Sequence, residues 1–205
     1  MIEAVVFDIG NVLLEWQPER HFDTFMDAQD RKRLFAEVDL HAMNDAVDKG
    51  GNLPDLCAAL AEAHPEWREQ ILRWNADWLQ MASPAIPHSV RLLRALRAKG
   101  IPVFALSNFG IGTFAMAEGK YDFLQEFDRR YISGHMGVIK PDPEIYRMLE
   151  ADCGVAPEAL LFADDRADNI KAAEARGWKG HLFTTPEAWA DRLVAEGLLT
   201  PEEAI

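Results

Sequence analysis

Three short apolar runs in this chain each end in polar side chains, and this feature limits the possible folds more than any other. The runs span residues 4–7, 101–106 and 159–163. They end, in that order, at Asp8, at Ser107 with Asn108, and at Asp164 with Asp165. Short, continuous apolar runs are typical of strands that are buried on both faces of a parallel sheet. We therefore expect an α/β protein.

Segments with helical periodicity separate these runs. Apolar residues recur at helical spacing over 87–99, and Gly100 follows where a helix commonly ends. Asp142 and Pro143 mark the start of a helix that ends near Gly154. Another helix is predicted over 168–176, one begins at Thr185, and weaker strands are predicted over 131–133 and 181–183. Strands that alternate with helices predict a Rossmann-like, doubly wound parallel sheet.

One long segment, from Trp16 to Ser83, breaks the alternation. It is helical in texture, is rich in Ala, Asp, Glu and Trp, and contains no convincing strand. We interpret it as a small all-helical domain inserted after the first strand, and we call residues 16–83 the cap. Residues 1–15 and 84–205 then form the α/β core.

The charge balance argues against two classes of partner. The chain carries 21 Lys and Arg against 34 Asp and Glu, a formal net charge of −13. Nucleic acids and anionic membrane surfaces both require a basic face on the protein, so we expect neither as a partner. The N-terminus has no signal-peptide pattern, and no apolar run approaches the roughly 18 residues of a membrane helix. We therefore expect a cytoplasmic protein with free thiols at Cys57 and Cys153; one disulfide is the lesser alternative. The sequence does not indicate the oligomeric state.

The polar residues that end the three runs predict a functional site. The carboxyl ends of parallel strands meet at one edge of a sheet, near the place where strand order reverses. Carboxylates that converge there repel one another unless a cation neutralises them. Asp8, Asp164 and Asp165 offer only oxygen ligands, which favour a hard ion such as Mg²⁺.

Other polar groups near these carboxylates suit a phosphate. Lys140 lies in a loop before a helix, where it could supply the local positive charge that an acidic protein needs for an anion. Ser107 and Asn108 offer a hydroxyl, an amide and backbone N–H groups, which are suitable donors to phosphoryl oxygens. Together with Mg²⁺, these residues predict a phosphate site.

Four motifs, in order along the chain, resemble those of the haloacid dehalogenase-like hydrolase superfamily. They are FDIGNVL at residues 7–13, LSN at 106–108, KPDP at 140–143 and FADD at 162–165. The resemblance extends from residue 5 to about residue 185. The cap is similar to the family's small helical cap of the first type. The variant Asp-x-Gly-Asn-Val resembles the branch that contains sugar-1-phosphate phosphatases.

The resemblance implies a nucleophile and a metal site. Asp8 would attack phosphorus and become an aspartyl-phosphate. Mg²⁺ would be held by the carboxylates of Asp8 and Asp165 and by the backbone carbonyl of Gly10. Asp164 would contact the ion directly or through water.

It also implies roles for four further residues. Ser107 and Lys140 would bind the phosphoryl oxygens, and Asn108 would steady the loop that follows the second apolar run. Asn169 occupies a position where relatives often carry a second acid, and it would orient Lys140 or the waters of the metal. Phosphoryl transfer depends mainly on such positioning and on neutralisation of charge.

The chain departs from the family pattern at Gly10. Most phosphatases of the superfamily carry a second Asp there, which protonates the leaving alcohol and later activates water. A general acid–base of this kind typically contributes about 10²–10⁴-fold to the rate. Either a cap residue such as His21, His41 or Asp45 replaces it, or the substrate has a good leaving group, such as an anomeric sugar hydroxyl.

The same departure leaves two alternatives to phosphate hydrolysis. Metal-independent 2-haloacid dehalogenases also lack the second Asp, and their nucleophile attacks carbon. Those relatives carry small neutral residues where this chain has Asp164 and Asp165, and two carboxylates without a cation would repel a carboxylate substrate. A catalytically degenerate member that binds a ligand or partner is the other alternative. The sequence thus favours a Mg²⁺-dependent phosphohydrolase acting on a small phosphorylated metabolite, with a sugar phosphate as the leading candidate.

Overall fold

The computed structural model describes the whole chain, Met1 to Ile205, and contains seven strands. They are β1 (Ala4–Phe7), β2 (Leu14–Trp16), β3 (Ala82–Ala85), β4 (Val103–Ser107), β5 (Arg129–Ile132), β6 (Leu160–Asp164) and β7 (Lys179–Leu182). Five of them form one parallel sheet in the order β5-β4-β1-β6-β7. Because the chain winds outward from β1 in both directions, the sheet is doubly wound, and the predicted Rossmann-like class is confirmed.

Twelve α-helices surround and extend this sheet. They are α1 (Pro18–Phe22), α2 (Ala28–Glu37), α3 (Leu40–Asp48), α4 (Leu53–Ala63), α5 (Arg68–Ala76), α6 (Trp78–Met81), α7 (Pro87–Ala98), α8 (Ile111–Lys120), α9 (Ser133–Met136), α10 (Pro143–Cys153), α11 (Ala167–Glu174) and α12 (Pro186–Ala195). Short 3₁₀ turns occupy Pro65–Trp67, Asp122–Gln125 and Pro157–Ala159. None of the helices combines the length and the apolar character that a bilayer crossing requires.

The helix that follows Lys140 shows why the predicted boundaries agree with the structure. The Asp142 side chain accepts a hydrogen bond from the Glu144 backbone N–H at 2.9 Å, and Pro143 fills the first turn of α10. Gly154 ends the helix in the left-handed conformation, with φ of 71°. Both signals are local, so they could be read from the sequence.

Side chains of the central strand alternate between two apolar layers. Val5 and Phe7 belong to a cluster of 44 buried residues on one side of the sheet. Ala4 and Val6 belong to a cluster of 13 buried residues on the other side. Strands that are covered on both faces read as continuous apolar runs, which explains why β1 was recognisable.

The cap contains all the helices from α1 to α6, but it is not purely helical. Trp16 ends β2 and Ala82 begins β3, and these two short strands pair antiparallel. The ribbon continues through hydrogen bonds from Gln17 N to Met81 O (2.9 Å) and from Ile86 N to Leu13 O (2.8 Å). The expectation of no strand in the cap is wrong at these two ends. Strands of three and four residues carry too little periodicity to be recognised.

The cap has an aromatic interior that joins the core of the sheet domain. Trp74 is fully buried, with ring centroids 6.0 Å from Trp16 and 6.0 Å from Phe22. Trp74 and Phe7 of the central strand belong to the same buried cluster. The two cysteines are free, as expected, and Cys57 is buried inside the cap. The cap is therefore packed firmly against the sheet domain.

A buried histidine gives the fold a dependence on pH. His181 lies 4.9 Å from Trp189 between ring centroids, and its Nε2 is buried without a hydrogen-bond partner. Burial, with the nearby charge of Arg192, lowers the pKa of His181 from 6.5 to about 4. The unfolded chain therefore binds the proton more tightly than the folded chain between these two values.

We expect this histidine to reduce stability as the pH falls from 6.5 towards 4. The loss should be on the order of 1–3 kcal/mol, since the ring is only partly buried. Urea unfolding of the wild-type protein and of His181→Gln at several pH values measures it. The difference in unfolding free energy between the two proteins should change across this window. A constant difference would contradict the assignment.

Candidate active site

The polar ends of the three apolar runs meet at the carboxyl edge of the sheet. Asp8 follows β1, Ser107 ends β4 and Asp164 ends β6, and these three strands are direct neighbours. A cavity of about 410 Å³ lies at this edge, between the sheet and the cap. The cap side of the cavity is lined by Trp16, His41, Asn44, Asp45, Asp48, Trp78 and Ala82.

Asp8 presents one free carboxylate oxygen. Its Oδ1 accepts hydrogen bonds from the backbone N–H of Ile9 (2.7 Å) and from Ser107 Oγ (2.6 Å), and it lies 2.9 Å from Lys140 Nζ. No hydrogen bond within the chain uses Oδ2. Burial raises the pKa of Asp8, and the ammonium group of Lys140 opposes that shift. The three contacts hold one oxygen and leave the other oriented for reaction.

Lys140 is a buried cation with every donor engaged. Only 3% of the residue is exposed, and Nζ lies 2.8 Å from Leu106 O, 2.6 Å from Asp164 Oδ2 and 2.9 Å from Asp8 Oδ1. Burial alone would lower the pKa of Lys140, but the charges of Asp164 and Asp8 reverse this and raise it. The ammonium group neutralises the two carboxylates while it faces the cavity.

Asp164 is saturated with hydrogen bonds. Its Oδ1 accepts from the Arg166 backbone N–H at 2.8 Å and from Asn169 Nδ2 at 3.0 Å. Its Oδ2 accepts from Asn169 Nδ2 at 3.0 Å and from Lys140 Nζ. Asp164 is fully buried and orients the lysine from behind. Asn169 touches Asp164 rather than Lys140, so it reaches the lysine only through that carboxylate.

Asp165 is held by a residue that the sequence analysis did not select. Asn11 Nδ2 donates to Asp165 Oδ2 at 2.9 Å, while Asn11 Oδ1 accepts from the backbone N–H of Trp16 at 2.9 Å. Asn11 adopts a left-handed conformation, with φ of +53°, which Asn tolerates better than most residues. Burial raises the pKa of Asp165, and the Asn11 hydrogen bond opposes the shift. The sequence signal that could have identified Asn11 as a site residue is its position directly after Gly10, close to the end of β1.

Asn108 fastens two loops of the site to each other. Its Nδ2 donates to the carbonyl of Lys140 at 3.0 Å, and its Oδ1 accepts from the backbone N–H of Lys140 at 2.8 Å. The amide is therefore used fully within the protein. These two hydrogen bonds fix the position of the Lys140 backbone relative to the end of β4.

The residues at this edge fit a hard divalent cation. One carboxylate oxygen from each of Asp8, Asp164 and Asp165 lies within 4.8 Å of the others. The carbonyl of Gly10 accepts no hydrogen bond within the chain, and Asn169 Oδ1 is buried without a partner. All these candidate ligands are oxygen atoms, which is the donor set that Mg²⁺ prefers.

The position two residues after Asp8 is open space. A Cβ atom built on Gly10 would meet no atom within 4 Å. The first carbon of a side chain would therefore fit here without displacing its neighbours. The second acid that the family resemblance leads us to expect is absent at Gly10, although no neighbouring atom blocks a Cβ there.

The cap residues considered as substitutes lie in different places. His21 bonds to Asp77 at 3.0 Å and does not line the cavity. His41 and Asp45 line it but are exposed. Asp48, which the sequence analysis did not consider, lines the cavity and is half-buried.

The Asp48 carboxyl is strongly perturbed by its surroundings. Burial raises its pKa to about 7, and the charge of Asp45 adds to this effect. The backbone N–H of Gly110 opposes the shift in the pKa of Asp48, the charge of Asp8 raises this pKa, and the charge of Lys140 lowers it. Perturbed carboxyls in a cavity are candidates for acid–base chemistry.

The structure brings nearly all the predicted site residues to one cavity. Those that line it are Asp8, Gly10, Ser107, Asn108, Lys140, Asp165 and Asn169. Asp164 is the exception, because it lies behind Lys140 and touches no part of the cavity surface. The roles of these residues remain predictions; in the structure the Ser107 hydroxyl donates to Asp8, and the Lys140 ammonium group contacts Leu106 O, Asp8 and Asp164.

The sequence is similar to those of known hydrolases and phosphatases. A model of the haloacid dehalogenase-like hydrolases matches residues 2–177. A drimenol cyclase of Aspergillus calidoustus is 35% identical over 191 residues, which cover 89% of this chain and 34% of that protein, so the chain spans about a third of its length. A D-ribitol-5-phosphate phosphatase of Bacteroides thetaiotaomicron is 27% identical over 212 residues, covering 94% of this chain and 97% of that protein.

Solved structures show the same fold. A family enzyme of Bacteroides thetaiotaomicron, in complex with magnesium and inorganic phosphate, has a TM-score of 0.72 and 22% identity, covering 90% of this chain and 95% of that chain. An L-2-haloacid dehalogenase of Xanthobacter autotrophicus, with chloropropionic acid covalently bound, has a TM-score of 0.64 and 19% identity, covering 99% of this chain and 86% of that chain. At these identities the likeness concerns the fold alone.

Proposed function

We propose that this chain, which belongs to the haloacid dehalogenase-like hydrolases, is a Mg²⁺-dependent phosphohydrolase. Its substrate would be a small phosphorylated metabolite. The observation that carries this proposal is the cluster of Asp8, Asp164 and Asp165 within 4.8 Å, with the buried cation of Lys140 beside it. Such a cluster suits a divalent cation and a phosphate together, and it suits an uncharged or anionic carbon substrate poorly.

The first chemical step follows from how Asp8 is held. Its Oδ2 has no hydrogen-bond partner and attacks the phosphorus, while Ser107, Lys140 and the Ile9 N–H keep Oδ1 in place. The product is an aspartyl-phosphate on Asp8 and a released alcohol. Water then cleaves the aspartyl-phosphate and restores the carboxylate. Lys140 remains near the transferring group and balances its negative charge.

The oxygen atoms that would hold the metal come from two loops, one after β1 and one after β6. Asp8, Asp165 and the carbonyl of Gly10 would hold Mg²⁺. The expected contact of Asp164 with the ion does not fit the structure, because both of its oxygens accept hydrogen bonds and it lies behind Lys140. When bound, Mg²⁺ neutralises the phosphoryl oxygens and lowers the repulsion between them and the nucleophile. The magnesium and phosphate bound to the Bacteroides thetaiotaomicron enzyme support this assignment.

The cap side of the cavity favours a polyhydroxyl substrate. It presents amide, carboxylate and imidazole groups from Asn44, Asp45 and His41, together with the indole rings of Trp16 and Trp78, and no Lys or Arg. Hydroxyl groups can hydrogen-bond to such groups, whereas a second acidic group on the substrate would meet no fixed cation there. A sugar or sugar-alcohol phosphate therefore fits best. The Bacteroides relative named D-ribitol-5-phosphate phosphatase supports this class.

Dehalogenation is the second candidate, because Gly10 and the fold shared with the Xanthobacter dehalogenase both agree with it. That reaction needs no proton on its leaving group. It would bring a carboxylate substrate to a site where Asp8 and Asp165 already line the cavity. This repulsion makes it the weaker candidate.

One assay separates these functions. Phosphate release is measured for a panel of sugar, sugar-alcohol and amino-acid phosphates, with Mg²⁺ and after exhaustive chelation. We expect release with Mg²⁺, loss of nearly all activity with chelator, and recovery when Mg²⁺ is restored. Release that survives complete metal removal would refute the metal assignment. Halide release from 2-chloropropionate without metal would support dehalogenation, and a folded protein inactive in both assays would support a binding role.

A further inference from the structure

The in-line geometry of phosphoryl transfer restricts the position of the general acid. Attacking and leaving oxygens lie roughly in line through phosphorus. Asp8 stands at the edge of the sheet, so the leaving oxygen faces the cap. Gly10, where the acid would otherwise stand, has no side chain. Any group that protonates the leaving oxygen must therefore come from the cap side of the cavity.

Three titratable side chains of the cap line the cavity, and Glu15 lines it just before the cap begins; only one of these four is both withdrawn from solvent and unpaired with a cation. Glu15 forms an ion pair with Arg20. His41 and Asp45 are exposed. Asp48 is half-buried at the end of α3 and lies in no ion pair.

We propose that Asp48 is the general acid–base that replaces the missing carboxyl at position 10. This inference rests on the proposed phosphohydrolase function and assigns a second catalytic residue to the same cavity. It differs from the substitutes that the sequence suggested, since none of those three side chains is both inside the cavity and shielded from water.

The Asp48 carboxyl is oriented by a chain of two hydrogen bonds. Asn44 Nδ2 donates to Asp48 Oδ2 at 3.0 Å, and Asn44 Oδ1 in turn accepts from Trp74 Nε1 at 3.4 Å. Trp74 is fully buried in the cap interior, so it fixes which way the amide of Asn44 points. A reactive group held by a partner that is itself oriented is a common arrangement in active sites.

The end of α3 is also attached to the sheet domain. Ser133 Oγ donates to the carbonyl of Asp48 at 2.6 Å, and it accepts from the backbone N–H of Phe109 at 2.9 Å. A Cβ on Gly110 would lie 2.5 Å from Val47 Cγ1 and 3.0 Å from Val47 O, so α3 approaches this loop as closely as it does only because residue 110 is Gly. Asp48 therefore has a defined position relative to the loop after β4, although it belongs to the cap.

The charges around Asp48 suit both halves of an acid–base cycle. Asp45 and Asp8 favour the protonated carboxyl, and Lys140 and the Gly110 N–H favour the carboxylate. With burial, these influences bring its pKa to about 7, where both forms are populated near neutral pH.

The proposed cycle conserves protons and electrons. Asp8 Oδ2 forms a bond to phosphorus while the bond from phosphorus to the leaving oxygen breaks, and the Asp48 proton moves to that oxygen and gives the alcohol. The oxygen of a water molecule then attacks phosphorus, and the Asp48 carboxylate accepts a proton from that water. The bond between Asp8 and phosphorus breaks with its electron pair returning to the Asp8 carboxylate. Hydrogen phosphate leaves, and Asp48 is protonated again.

The test compares two esters that differ in their need for an acid. 4-Nitrophenyl phosphate has a leaving group that departs without a proton, whereas ribitol 5-phosphate releases an ordinary alcohol. We expect Asp48→Asn to lower kcat/KM for ribitol 5-phosphate by about 10²–10⁴-fold and for 4-nitrophenyl phosphate by less than about tenfold. Glu62→Gln, which removes an exposed carboxylate of the cap that does not line the cavity, should leave kcat/KM for both esters at the wild-type value.

A second variant tests the same role at another position. Gly10→Asp places a carboxyl in open space beside the nucleophile, and in the Asp48→Asn background it should restore much of the lost turnover of ribitol 5-phosphate. Equal losses for both esters, or no loss at all, would overturn the role of Asp48, and a thermal unfolding curve excludes misfolding as the cause. Wild-type protein that hydrolyses neither ester with Mg²⁺ would overturn the phosphohydrolase function itself.

Discussion

Replacement of Asp8 by Asn is expected to lower phosphate release by at least about 10⁴-fold, because a neutral amide cannot displace the leaving alcohol from phosphorus. The variant should fold normally. An amide oxygen can still accept hydrogen bonds from Ile9 N–H and Ser107 Oγ. The change also removes a carboxylate that burial disfavours, so the free energy of unfolding without Mg²⁺ should not decrease.

Steady-state phosphate release and a thermal melt measure both effects. Asp191→Asn is a matched control, since Asp191 is exposed on α12 and does not line the cavity. It should retain wild-type activity. An Asp8→Asn protein with undiminished turnover would refute the covalent mechanism.

Replacement of Lys140 by Met has the second large effect, and it acts on stability as well as on activity. The ammonium group lies between Asp8 and Asp164, which are both buried. Removing one partner of a buried ionic cluster leaves uncompensated charge and typically costs about 3–5 kcal/mol. We expect a loss of unfolding free energy in that range at pH 8 without Mg²⁺, together with near-complete loss of turnover.

The pH dependence of this variant has a defined sign. The folded-state pKa of Asp8 is raised, so the folded protein favours its protonated form, and stability is lost as the pH rises through that pKa. The deficit of Lys140→Met should therefore be smaller at pH 5 than at pH 8, and Mg²⁺ should reduce it at pH 8. Urea titrations under these three conditions test the prediction. Lys32→Met, at an exposed position in α2, should stay within about 0.5 kcal/mol of wild type.

The sheet and its polar edge could be predicted because the signals are local. An apolar run such as Leu160–Asp164 identifies a buried strand and the residue at its end, and parallel pairing places such ends together. Helix α8 received no prediction, because Gly112 and Gly119 interrupt its apolar pattern. The β2–β3 ribbon was also missed, since it depends on pairing between segments about 70 residues apart in the sequence.

Site residues from the cap could not be predicted in the same way. Asp48 is one of many acidic residues on exposed-looking helices, and nothing in its neighbours along the chain distinguishes it from Asp45. Its burial arises from the contact of α3 with Ser133 and Gly110, which belong to loops far away in the sequence. Tertiary packing therefore decides which cap side chain reaches the cavity.

The two hydrogen bonds of Asn11 have a mechanical consequence. One connects it to the carboxylate of Asp165 and the other to the backbone of Trp16, where the chain enters the cap. A rotation of the cap about the β2–β3 ribbon would strain one of these bonds unless Asp165 moved as well. Under the proposed function, admission of substrate and binding of the cation would therefore be coupled through this single amide. We expect the cation to exchange when the cap opens. In Asn11→Ala, either event should be able to occur without the other.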